Sequence, residues 1–357
     1  MVPLTAVLLA GAALIDHCRT RRARIAVLAA VTASAAMMSV VATVDRLTDW
    51  SWPFPGDARF AGGTRFVSFG YHGNAAAFLE LGLPAAILLA ITIRPRAAAL
   101  RLAVLGAPAV ILVGAAVNVS KLGQLLALVL VIAGAAVALR DRRIAGSVDR
   151  RRFAACVIVG LCIVGVGAFA ARDRWQELPD ALGRDSGRAL TWEVAARTAG
   201  RSPVFGTGPG GYKLYLQPVT AAEVPELFKH SIVTPYRDGQ PVTIWMQVHD
   251  DPLQTVAEWG PLAAAALAVV VLWPLAKCAV VALRSRGRAV GPTMAALALT
   301  AVYVHSLVDF PLQVLALQLT IAAWAAVALG EADVSRRATR ARHETGDADA
   351  GHGRTTA

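Results

Sequence analysis

Residues 248–286 read VHDDPLQTVAEWGPLAAAALAVVVLWPLAKCAVVALRSR, and this stretch decides the fold class. Between Trp259 and Leu283 the only charge is Lys277, and Arg284, Arg286 and Arg288 follow at once. A bilayer core about 30 Å thick needs roughly 20 apolar residues at a helical rise of about 1.5 Å. The segment is long enough to cross. It enters from a polar head, His249-Asp250-Asp251, and leaves into a basic cluster, which is how a transmembrane helix is bounded.

The same search for windows bounded by charge, carried along the rest of the 357 residues, finds eight more. The nine predicted spans are approximately 2–16, 25–44, 74–93, 102–119, 122–139, 153–171, 259–283, 289–307 and 312–330. Composition agrees: 56% of residues are hydrophobic and 17% charged, and the mean hydropathy is +0.54. A single water-soluble globule is excluded on those grounds. The net charge of +11 could indicate nucleic acid, but the basic residues lie in short clusters between apolar runs, which is the pattern that sets membrane topology. No nucleic-acid partner is expected. Cys18, Cys156, Cys162 and Cys278 lack metal-ligand spacing, and none falls in the longest polar segment, so neither a zinc site nor a disulfide framework is expected.

Orientation follows from Lys and Arg in alternate connections. Arg19, Arg21, Arg22 and Arg24, then Arg94, Arg96 and Arg101, then Arg140 to Arg152, then Lys277 to Arg288, then the tail all fall on one side. That side is predicted to be cytoplasmic. The expected organisation is an N-terminal membrane bundle over 1–171 with about six spans, a large outer loop over 172–258, and a C-terminal bundle over 259–330 with about three spans. A polar tail over 331–357 reads as disordered and cytoplasmic. The start lacks the basic n-region of a cleavable signal, so none is expected. No inverted repeat of the transporter kind is evident.

Polar residues gather at the outer ends of the spans. The 45–73 loop carries Arg59, Arg65 and His72, with Asn74 at the start of the next span; a short turn carries Ser120 and Lys121; the 172–252 loop carries Arg188, Trp192, Arg197, Tyr212 and His249; a last turn carries His305, Asp309 and Gln313. Arginines at a lipid interface suit a phosphate-bearing lipid, because guanidinium presents forked donors and keeps its charge. Their other reading is anchorage to headgroups. His249, next to the seventh span, is placed to take a proton from a hydroxyl near neutral pH, or to bond the backbone as an ordinary loop histidine. Asp250 and Asp251 either orient its ring or cap the helix beginning near Leu253. Glu80 lies inside the third span, where a carboxylate faces a cavity or partner, or is buried neutral.

GTGPGG at 206–211 resembles a dinucleotide loop only superficially, because it lacks the strand-to-helix context and lies on the wrong side for nucleotide. A turn is expected, with backbone amides near a phosphate as the lesser reading. In 188–201 the spacing puts Arg188 and Trp192 on one helical face and pairs Glu193 with Arg197 at i, i+4, predicting an interfacial helix. Metal binding by His72, His305, Asp309 and Asp250 has no HxxxH or DxD spacing behind it. No metal and no cofactor is expected.

Four stretches in this order resemble the O-antigen ligase and O-antigen polymerase family of bacterial envelope membrane proteins, which includes protein O-oligosaccharyltransferases. They are TRFVSFGYHGNAAAFLELGLP (64–84), NVSKLGQLLAL (118–128), RALTWEVAARTAGRSPVFGTGPGGY (188–212) and VHDDPLQTVAEWGPLA (248–263), with VHSLVDFPLQ (304–313) as a later companion. The resemblance covers about residues 60 to 330. It implies an all-α polytopic transmembrane bundle of GT-C-like architecture with one large outer loop. The implied activity is metal-independent inverting glycosyl transfer from undecaprenyl pyrophosphate to an acceptor hydroxyl on a glycan, lipid or protein, at the periplasmic face of the bacterial inner membrane. Through the same resemblance, Arg65, Lys121 and Arg188 fall where the family places basic residues for pyrophosphate, and His249 falls on its proposed base. Asn74, His72, Glu80 and Tyr212 complete the candidate substrate-binding set. Lys121 stands where arginine is usual, which removes a forked contact; Asp250 stands where asparagine is usual, and Ala263 where Gly or Thr is common.

Two other classes share parts of this pattern. A transporter or flippase of lipid-linked sugars would also want outer arginines, together with charged or broken helices at the midplane, for which Glu80 and Pro84 are the hints. A non-catalytic envelope scaffold would not need a histidine beside Arg-rich loops.

Overall fold

The computed structural model describes residues 2–48, 66, 69, 71–93, 97–140, scattered positions between 158 and 172, 187–212, 236–237, 240–241, 247–286 and 289–352. The chain there is helical: α1 Val2–His17, α2 Arg21–Thr48, α3 His72–Thr92, α4 Ala98–Val117, α5 Lys121–Arg140, α6 Gly187–Arg201, α7 Asp251–Arg284, α8 Val290–Ser306 and α9 Leu315–His352. Extended pairing among the described residues is confined to two two-residue strands, β1 Tyr236–Arg237 and β2 Gln240–Pro241, and a bridge between Phe66 and Phe69.

Among the described residues six segments are long and apolar enough to cross a membrane: α2, α3, α4, α5, α7 and Leu315–Val334 of α9. Thr5–His17 and Val290–Ser306 are apolar but shorter. The all-helical bundle expected from hydropathy is therefore present, and six of the nine expected spans are long and apolar enough to cross among the described residues. Two of the other three expected spans are the short helices α1 and α8, and the third, 153–171, falls largely outside the described residues. Beyond Val334 the helix continues to His352, through a segment expected to be disordered. Ala, Arg and Glu recur there and are strong helix formers, so the turn pattern propagates without an apolar stripe.

α3 is the central helix, packed by α2, α4, α5 and α8. Leu81, Ala85 and Leu88 of α3 face Met294, Ala298 and Leu299 of α8 and Trp324 and Val327 of α9. Leu79 and Leu83 of α3 face Ala35 and Met38 of α2, Ile111 and Leu112 of α4, and Leu130 of α5. Close approach depends on small residues, as helix packing in membranes does. A Cβ on Gly82 would run into Ala35, one on Gly114 into Ser39, and one on Gly123 into Ala76. Pro84 removes one backbone donor from α3, and in the turn above it the Trp324 indole N–H of α9 donates to the Leu81 carbonyl at 3.0 Å.

At the end carrying the α1–α2 turn, Arg24 is buried. Its Nε donates to Glu331 Oε1 at 2.8 Å, and its Nη1 donates to the carbonyls of Cys18 and Arg19. The pair ties the α1–α2 turn to α9 while capping carbonyls that end α1. The outward faces are apolar: Leu262 and Leu283 of α7 and Leu102 of α4 are each more than 70% exposed. Apolar side chains over spanning lengths, with backbone groups bonded inside helices, are what a lipid surround requires.

Candidate active site

Two breaks in helical structure build the site. The first is in α7, where Gly260 adopts φ 76°, ψ 163° and is followed by Pro261. Pro261 brings no N–H to the Ala257 carbonyl four residues back. The turn at 206–211 bonds the carbonyls at the kink: Thr207 N–H donates to Ala257 O at 3.0 Å and Gly208 N–H to Glu258 O at 2.8 Å. The Glu258 side chain reaches back, accepting from Gly210 N–H at 2.7 Å. Gly206 (φ 66°) and Gly260 meet at backbone contact, since a Cβ on Gly206 would strike Glu258 and one on Gly260 the Val204 carbonyl. The GTGPGG segment is thus a turn in which the Thr207, Gly208 and Gly210 amides are bonded to α7 and those of Gly206 and Gly211 to the Ser202 and Gly208 carbonyls, which disfavours the phosphate-binding reading of those amides.

The second break is His249, a non-glycine residue at φ 57°. Asp250 after it is the N-cap of α7, its carboxylate accepting from Leu253 N–H at 2.8 Å. Burial nevertheless pushes that carboxyl above its usual range, against the Leu253 bond. Asp251 accepts from Leu312 N–H at 2.7 Å, which ties the start of α7 to the 3-10 turn Pro311–Gln313. Capping therefore goes to Asp250, and the carboxylate against the imidazole is a different one. His249 Nδ1 lies 3.2 Å from Asp309 Oδ1. The other oxygen of Asp309 lies 3.7 Å from His305 Nε2, and His305 Nδ1 lies 2.7 Å from Glu80 Oε1. Glu80 and His305 are almost fully buried. Burial raises the Asp309 carboxyl, but hydrogen bonds and charge from His249 and His305 outweigh it and hold the group well below the usual carboxylate range.

Tyr71 connects this chain to the basic residues. Its ring stacks on Phe310 at 5.2 Å between centroids, meets His249 edge-on at 5.5 Å and touches His72 at 4.5 Å. Phe310 also meets the His249 ring edge-on at 4.8 Å. The Tyr71 hydroxyl is 3.5 Å from Arg188 Nη2. Burial first, then the Asp309 charge, push that hydroxyl far above its ordinary value, with Arg188 opposing. Gly73 admits Asp309 to the N-terminal end of α3, because a Cβ there would collide with the carboxylate. A carboxylate at a helix N-terminus is electrostatically favoured.

Of the residues predicted from sequence, the structure brings His249, Arg188 and His72 around Tyr71. Asn74 is buried in the first turn of α3, its Oδ1 without a hydrogen-bond partner among the described residues. Lys121 begins α5 in a turn fixed by Asn118, whose side chain donates to the His72 carbonyl at 3.1 Å and accepts from Ser120 N–H. That turn sits against the α3 N-terminus. Glu80 lies deeper, joined to His249 only through His305 and Asp309. Tyr212 is buried beside the glycine turn, its hydroxyl without a partner among the described residues and raised by burial. Arg65 lies outside the described residues. Arg188 Nε is buried and lacks a hydrogen-bond partner among the described residues.

Sequence reasoning did not select Tyr71 or Phe310, and placed Asp309 and His305 among outer polar groups and weakly supported metal candidates. The available signal was the i, i+4 spacing of His305 and Asp309 at a span end. Nothing local marks Tyr71. Among the described residues no three His, Cys, Asp or Glu side chains are placed to share a metal ion.

Residues 107–268 match the O-antigen ligase family model. The resemblance drawn from the sequence motifs is thereby borne out over α5, α6 and the first half of α7, the part that carries Lys121, Arg188 and His249. Tyr71, Glu80, His305 and Asp309 lie outside the matched stretch, so their place beside His249 rests on geometry alone. No curated protein and no solved structure matches the chain. The match indicates, in general terms, a multi-pass membrane protein of ligase or polymerase type, with a lipid-linked glycan donor and an acceptor.

Proposed function

We propose that the protein transfers a glycan from undecaprenyl pyrophosphate to an acceptor hydroxyl, with inversion, at the periplasmic face of the bacterial inner membrane. The observation that carries this reading is the contact of His249 Nδ1 with Asp309 beside Tyr71 and Arg188. With Nδ1 3.2 Å from the Asp309 carboxylate, the imidazole tautomer that carries its proton on Nδ1 is favoured, and its lone pair is then on Nε2, the arrangement a general base needs. In the proposed step Nε2 takes the acceptor proton while the hydroxyl oxygen bonds to the anomeric carbon. The bond from that carbon to the phosphate oxygen breaks, and its electron pair leaves with undecaprenyl pyrophosphate. Arg188, with Lys121 and Arg65, stabilises the departing charge, and the buried Nε of Arg188 is a donor available to it. Asn74, His72 and Tyr212 are assigned to the substrate side; Glu80 supports Asp309 through His305.

General-base assistance is worth about 10²- to 10⁴-fold. Purified protein given a lipid-linked donor and candidate glycan, lipid or protein acceptors should lose that much activity on His249→Ala, at unchanged expression. Retention of more than half the activity removes His249 from the mechanism. A transporter of lipid-linked sugars would also hold ionisable groups inside its bundle, as Glu80 and His305 are held. In a deletion strain, lost glycan transfer with normal lipid flipping supports the transferase, and lost flipping supports the transporter.

A further inference from the structure

The left-handed backbone of His249 is an uncommon state for a residue with a Cβ, and such states persist only where surrounding contacts over-determine them. Here the peptide groups on both sides are held. Val248 N–H donates to Gln254 Oε1 at 3.1 Å, and Gln254 Nε2 is itself bonded to Gln247 Oε1 and Glu258 Oε1. From the other side come two residues of α6. The Thr191 hydroxyl lies 2.9 Å from the Val248 carbonyl and 2.8 Å from the Arg188 carbonyl, one proton shared between them, and the Trp192 indole N–H donates to the His249 carbonyl at 3.3 Å. Thr191 and the Val248 backbone are buried, so water cannot replace these bonds at no cost.

Arg188, Thr191 and Trp192 stand at i, i+3 and i+4, one face of one helical turn. That turn directs the Arg188 guanidinium to Tyr71 and also grips the two carbonyls flanking the His249 Cα. We propose that Thr191 and Trp192 are positioning residues that hold His249 in its left-handed conformation, so that the first turn of α6 sets the spacing between the base and the anion-binding arginine. This rests on the base reading of His249. Neither residue touches substrate; each acts by aiming the imidazole.

The test uses the purified full chain with a lipid-linked donor and its acceptor. Misplacing a reacting group by about 1 Å can cost up to about 10²-fold, so Thr191→Val, which keeps shape and drops the hydroxyl, should lower kcat about ten- to a hundredfold with the donor KM unchanged. Thr191→Ser, which keeps the hydroxyl, should restore most of it. Trp192→Phe, which keeps a ring and drops the N–H, should lower kcat in the same sense. Wild-type kcat in both Thr191→Val and Trp192→Phe overturns the proposal, as does a rise in donor KM with kcat intact, which would mean that the turn acts on Arg188 alone. Failure of Thr191→Ser to rescue, with the thermal midpoint of that variant unchanged, also overturns it. Should His249→Ala itself prove active, the base reading fails, and this is separable from active Thr191 and Trp192 variants in a protein that His249→Ala inactivates.

Discussion

Arg188 has one face against the Tyr71 hydroxyl and a buried Nε with no bonded acceptor among the described residues. A fixed fork of donors with one arm unused suits a phosphate oxygen better than a headgroup in passing, because desolvating an unpaired charged donor is otherwise unfavourable. Arg188→Ala should therefore weaken use of the donor. Arg188→Lys, with the charge but without the fork, should recover only part, and steady-state kinetics on donor concentration checks both. Equal kinetics in all three proteins would count against the role. Asp309 makes a pH prediction. Its folded pKa is depressed, so its contribution to stability is full above the ordinary carboxylate value of about 3.9 and is lost as pH falls from there through the lower folded value. The thermal midpoint in detergent should drop in that acid window, and Asp309→Asn should flatten the drop.

At the level of elements, α3 and α8 are joined by the Glu80–His305 pair inside the bundle. Removing one partner of a buried pair typically costs about 3–5 kcal/mol, because the other is left uncompensated, whereas an apolar pair of similar volume is often neutral or better. Glu80→Ala should lower stability by about that amount. Changing Glu80 and His305 together to leucine should restore the midpoint while transfer stays low, because Asp309 has then lost its second contact. Detergent unfolding alongside the transfer assay separates the two effects; full activity in the double variant would show that the pair serves packing alone. The α7 kink belongs to this scale as well. EWGP could be read as a helix boundary, but only the folded chain pairs the carbonyls at the kink with the amides of Thr207 and Gly208. Gly206 is explained by that backbone approach, and Gly208 and Gly210 by their left-handed φ of 89° and 75°.

For the whole molecule, the loops bearing His249 and Arg188 gather at one end of the bundle and the Arg24–Glu331 pair at another part of the chain's turns. Single cysteines in a protein cleared of its own four give a direct check. Phe205→Cys, at a position 83% exposed beside the glycine turn, should react with a membrane-impermeant thiol reagent added outside the cell. Arg286→Cys, after α7, should react only once the membrane is opened. Reversed labelling would put the imidazole and the proposed periplasmic substrate on opposite sides of the bilayer.

Hydropathy and charge in the sequence were enough to determine a helical membrane protein, the centres of its long apolar helices, and the polar ends where Arg188, Lys121 and His249 stand. Those properties are local: an apolar window of about 20 residues has one low-energy structure in lipid whatever surrounds it. Tertiary structure alone decided that Asp309, rather than Asp250 or Asp251, meets the imidazole, that Tyr71 stands between His249 and Arg188, and that Glu80 faces His305 across 225 positions of chain. Each of these depends on which small residues let α3 approach its neighbours and on where α7 bends. Helix-to-helix register is set by such contacts between segments distant in sequence, and no period within a single segment encodes it.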